Sequence, residues 1–125
     1  MSTLSASRAA LGAVLEGTGL HVYEYVPGRP HPPAAIITPG SPFLDSGDAF
    51  GTHRLHLTVS LVAAPGPAEH VTSALDDLIC AAVLAVEEAW DVEDVSTYYP
   101  FQANGAQYLA CDVRVADTIR ISKED

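Results

Sequence analysis

A chain of 125 residues, 48% of them hydrophobic, has room for one core, and a formal net charge of −10 disfavours a basic grip on nucleic acid, whose affinity rests on lysine and arginine. The first segment lacks a basic start and a continuous apolar run. No later segment approaches the ~18 uninterrupted apolar residues of a membrane span, so a single soluble domain over residues 1–125, with no linker and no membrane, is expected.

In chain order, Ser2, Thr3 and Ser5 are candidate caps for a short helix that carries Leu4, Leu11, Val14 and Leu15 at helical spacing and stops at Gly17 and Gly19. Leu20 to Val26 is rich in β-formers and reads as a strand. Pro27, Pro30, Pro32 and Pro33 can continue neither ladder nor helix, so they form an ordered turn or an extended crossing before a short apolar strand at Ala34 to Thr38. The stretch PGSPFLDSGDAFG, residues 39–51, reads as a long loop. Phe43, Leu44 and Phe50 are out of place on a surface loop, and either fold back onto the core or await a partner.

Thr52 to Val62 alternates strictly, with Leu55, Leu57, Val59 and Leu61 on one face and Arg54, His56, Thr58 and Ser60 on the other, as in a half-buried antiparallel strand. The longest period in the chain follows. Val71, Leu75, Leu78, Ile79, Ala82, Val86 and Trp90 gather on one side of a helix over residues 67–90, roughly 33 Å long. Its far side bears Glu69, Asp76, Asp77, Glu87 and Glu88, together with Leu84 and Cys80 one turn before it. An acidic turn then leads to an edge strand at Val95 to Phe101, interrupted by Pro100. Asn104 and Gly105 signal a hairpin into an alternating strand, Gln107 to Val115. The tail from Ser122 is expected to be loose. The order predicts an α+β fold, with an antiparallel or mixed sheet of about four to five strands and two helices packed on one face.

Chemistry-bearing patterns are sparse. His53 and His56 point to opposite faces of a strand, so they make a poor metal pair. No serine lies in a G-x-S-x-G turn, and phosphate-cradling glycine motifs are absent. The carboxylate pairs Asp76 with Asp77 and Glu87 with Glu88 lie on an exposed helix face, where solvation is their ordinary state. No catalytic, cofactor-binding or metal-binding residue is assigned, and an enzyme is the weaker reading. Cys80 and Cys111 fall where small buried residues belong and are expected as reduced thiols rather than a disulfide. Cys80 and Leu84, an apolar patch in an acidic helix face, and Phe43, Leu44 and Phe50 are the candidate subunit or partner contacts. Between Arg54 and Arg114 there is no lysine or arginine, so the acidity is regional. Asp91, Glu93 and Asp94 within that gap are either a solvated face or a surface that repels something, passing DNA above all, or that meets a basic partner.

The whole pattern resembles the tail terminator, or tail completion, proteins of long-tailed bacteriophages. The residues that carry the likeness are a short helix, the strand HVYEYV, the prolines before PPAAIITPG, a glycine-rich loop, HRLHLTVSLV, an amphipathic helix and a closing hairpin. The likeness spans nearly the full chain and is one of element order. It implies a structural virion protein at the tail and neck, assembled in the host cytoplasm without a cofactor. Such proteins form a ring, commonly a hexamer, that caps the polymerised tail tube and joins it to the head connector, with DNA only as passing cargo. The alternatives are another neck component such as a head-tail stopper, or a small-molecule-binding or enzymatic α+β domain.

Overall fold

A computed structural model describes residues 2–121. The elements are α1 (Thr3–Glu16), β1 (His21–Tyr23), β2 (Ala34–Ser46), β3 (His53–Val62), α2 (Ala68–Val86), β4 (Asp91–Val95), β5 (Tyr99–Ala103) and β6 (Ala106–Ile119). The fold is α+β, as expected. Its mixed sheet has six strands, more than the four to five expected, along the path β1-β2-β3-β6-β4 with β5 also paired to β6. Only β1 and β2 run parallel. Ala110 stands in register with both Val62 and Tyr99, so β5 occupies the edge of β6 opposite β3, and β4 continues along that edge opposite Val113 to Ala116.

Both helices cover one face of the sheet. The main core joins Leu11 and Leu15 of α1, Leu75, Ala82 and Val86 of α2, and the inward row Leu55, Leu57, Val59 and Leu61 of β3, with Cys111, Val113 and Val115 of β6 beside it. Burial of each large side chain here stabilises the fold by about 1.5 to 3 kcal/mol. The α2 stripe therefore lies on the sheet as its period predicts: Leu75, Ala82, Val86 and Trp90 are buried, and Val71, Leu78 and Ile79 pack partly against them. Ser2 caps α1 by accepting a 3.0 Å bond from the Ser5 backbone N–H. Gly19, with φ of +91°, turns the chain out of that helix into β1.

The reverse face has a smaller apolar cluster, Ala34, Ile36, Val62 and Ala110, bordered by Tyr23, Tyr99, Phe101 and Tyr108. Pro27 and Pro30 are buried, so the proline run is an ordered crossing. Asn104 and Gly105 adopt φ values of 51° and 79°, the two successive positive angles of a tight hairpin turn between β5 and β6.

Four local expectations are corrected. The expected loop over residues 39–51 is strand as far as Ser46: β2 pairs with β3 from Ala34↔Val62 to Ser46↔His53, with an irregularity between Pro39 and Leu44. Prolines are tolerated there because β1 pairs only Ala34 to Ile36, which leaves the outer half of β2 an edge. Gly40 is required at the irregularity, since a Cβ there would stand 2.9 Å from the carbonyl oxygen of His56. The strand expected from Leu20 to Val26 contracts to His21–Tyr23, ending where its register with β2 ends. The long helix closes at Val86 rather than at residue 90, with Glu87 as its C-cap. Finally, the acidic turn after Trp90 is β4, and Ser96 to Tyr98 separates it from β5. The tail from Ser122 lies outside the described residues.

Candidate functional site

The open face of the sheet gathers the charged residues. Arg54 on β3 donates to Asp91 on β4 at 2.6 Å, and Arg114 on β6 forks onto both carboxylate oxygens of Asp94. His56 lies between two acids, its Nδ1 3.1 Å from Glu93 and its Nε2 3.3 Å from Asp45. Protonated, its ring donates to both; neutral, it has one N–H and leaves one carboxylate facing a lone pair. Hydrogen bonds from the partner guanidinium hold the Asp94 carboxyl below its ordinary range, and Asp91 raises the Arg54 guanidinium.

Each of Asp91, Glu93 and Asp94 thus has a cationic or protonatable partner, which explains why an acidic run forms a strand instead of a turn. Arg54 and Arg114 offset the charge of Asp91 and Asp94, while Glu93 and Asp45 share His56 and the carboxylates stay partly exposed to solvent. Changing Asp91, Glu93 and Asp94 together to Lys would set like charges against Arg54 and Arg114 and remove the acceptor that Glu93 offers His56. Thermal melts should show a lower melting temperature in low salt that partly recovers in high salt. An unchanged melting temperature at both salts would mean that these pairs do not couple the strands. The Asp94 contribution is present above the ordinary carboxylate pKa, and it is lost as pH falls through the depressed value.

Beside these pairs, the Ser60 and Tyr99 hydroxyls both donate to Asp112 Oδ1 at 2.7 Å. Burial, with Asp112 adding to it, pushes the Tyr99 hydroxyl up to about 12, so it serves as a permanent donor that ties β5 to β3 through β6. His53 and His56 diverge as expected, His53 on the helix-facing side in register with Ile119 and His56 among the acids. Among the described residues, no group of three or more His, Cys, Asp or Glu could hold a metal ion. Among the described residues, no helix is long and apolar enough to cross a membrane.

The candidate contact residues separate into two groups. Phe43 and Leu44 are half-buried and pack against the main core, so they belong to the fold and not to a docking loop. Phe50 is fully exposed at the apex of the turn from Gly47 to Thr52 that joins β2 to β3. On α2, Cys80 is exposed, contrary to its expected burial, and Leu84 is 68% exposed. Leu84 borders an open groove of about 550 Å³ between the outer sides of the two helices.

Cys111 is buried, and burial pushes its thiol up to about 11. A thiol reagent applied to the native protein at pH 8 should therefore label one cysteine, Cys80, within minutes, and two after unfolding. Two equally fast native thiols would contradict the burial of Cys111.

A second groove, of about 510 Å³, has no counterpart in the sequence reading. It lies between the start of α2 and the β5–β6 hairpin and is walled by Tyr98, Tyr99, Tyr108, Pro65 and Pro100. Its residues come from three separate stretches, 65–72, 98–100 and 107–109, that only the fold brings together. The one usable sequence signal is the density of tyrosine around a hairpin. Comparison with known proteins finds no family model that matches the chain, and no curated protein matches its sequence.

Proposed function

We propose that this chain is a structural subunit that works by assembly. The observation that carries this reading is Phe50, a fully exposed aromatic on a short ordered turn, accompanied by Leu84 on an otherwise acidic helix face. Large apolar groups held out on rigid elements suit a contact surface.

The more particular proposal is a tail terminator of a long-tailed bacteriophage, forming a ring that caps the tail tube at the head connector. Its support is the order of elements: a short helix, a β2–β3 hairpin, one long amphipathic helix and a closing hairpin on a sheet. The test is to delete the coding sequence from its genome and measure the tails. Tubes of uncontrolled, excess length that attach no head are expected, and restoration of the chain in trans should return a single length. Tails of normal length and normal head joining without the chain would contradict the proposal.

The groove walled by Tyr98, Tyr99 and Tyr108 favours a second reading, a small-molecule-binding domain, because apolar grooves with a few polar groups are common ligand sites. Tyr108→Ala separates the two: it should spare tail length under the first reading and abolish small-molecule binding under the second.

A further inference from the structure

Two surfaces in this chain are complementary to each other and do not meet within one copy. At the hairpin tip, Phe50 is fully exposed, so it touches none of its own core and does not sit in its own helix groove. Beside it stands Arg120, whose Nη1 lies 3.1 Å from where a Cβ on Gly51 would be. No carboxylate forms an ion pair with Arg120 among the described residues; Asp48, exposed in the same turn, makes only a small contribution to the field at Arg54. The tip therefore offers an aromatic ring next to an unpaired cation.

The groove between α1 and α2 offers the reverse. Val14 and Leu84 form its larger apolar walls, and Ala81, Ala85 and Ala89 keep its floor close to the helix backbone, which leaves depth for a planar ring. Glu88 lines it, and Glu16 and Glu87 are exposed on adjoining turns. The tyrosine groove near Pro65 has no charged lining residue and so provides no counterpart for Arg120.

We propose that the hairpin tip of one copy seats in the α1–α2 groove of a second copy, with Phe50 inserted beside Leu84 and Arg120 meeting Glu88. This rests on the assembly reading above and names its partner. Because the two patches differ, each copy in contact keeps one free tip or one free groove, so the contact is heterologous and repeats until it closes or extends. Charge complementarity selects the orientation: with a net charge of −10, two copies repel over most of their surface, and the exposed cation is directed to the acidic rim.

The test is a mixed disulfide trap in a Cys80→Ser background. Phe50→Cys protein and Leu84→Cys protein are oxidised separately and together at high concentration. Both are surface changes and should melt within a few degrees of wild type. A cross-linked dimer should form in the mixture at least tenfold above either protein alone. Arg120→Glu in the tip partner should cut its yield several-fold, and Glu88→Arg in the groove partner should restore it. No mixed product, or equal cross-linking of Phe50→Cys with itself, overturns the contact. Wild-type protein that limits tail length while the mixture fails to cross-link leaves the tail function standing and removes this contact. A mixed dimer from a chain whose deletion leaves tails normal does the opposite.

Discussion

Leu75→Asp is expected to leave the chain unfolded at room temperature. Leu75 is completely buried in the main core, where α2 meets the sheet. An aspartate there finds no basic partner, because the arginines of the sheet, Arg54 and Arg114, lie on the opposite face and are already paired. The substitution removes about 2 to 5 kcal/mol of apolar packing and adds the cost of an uncompensated polar group, of similar size. Together these approach the whole stability of a domain this size, about 5 to 15 kcal/mol. Far-ultraviolet circular dichroism should show lost helix and no cooperative melt. Leu84→Asp is the control: the same chemistry on the same helix, at a position 68% exposed, should melt within a few degrees of wild type. Leu78→Asp should fall between them, since Leu78 is only partly buried.

The second large effect separates packing from docking along β2 and its turn. Phe43→Ser combined with Leu44→Ser should lower the melting temperature by about 10 °C, since two half-buried side chains leave the core at a total cost of roughly 2 to 4 kcal/mol. Phe50→Ser should leave it unchanged, because Phe50 makes no core contact. Equal melting temperatures for the two variants would place Phe43 and Leu44 outside the core and make the whole segment an arm. The contrast revises the expectation that all three side chains act together.

Elements whose burial follows one repeating period were legible in the sequence. The α2 stripe, the alternation of β3 and the Asn104–Gly105 turn each depend on local spacing, and the structure follows them nearly residue by residue. Elements whose stability comes from a neighbour were not. The outer half of β2 reads as loop because Pro39, Gly40 and Pro42 weaken any isolated strand, yet pairing with β3 holds it. Likewise, β4 reads as a solvated turn because its acids look unpaired until Arg54, His56 and Arg114 arrive from β3 and β6. The candidate site divides along the same line. Leu84 is recognisable as outward from helical phase alone. Phe50 cannot be told from Phe43 without knowing where the strand ends and the turn begins.

The groove beside Leu84 also needed the fold, since Val14 and Leu84 are far apart in sequence and meet only because α1 docks on α2. Its acidic rim, by contrast, is plain in the run Glu87 and Glu88.

The proposed assembly at the end of a tail tube can be seen by electron microscopy of tails isolated with this chain tagged. Label and a closed ring of density are expected at the head-proximal end of each tail, one per tail, and none along the tube. Label spread along the tube, confined to the distal tip, or absent from purified tails would contradict it.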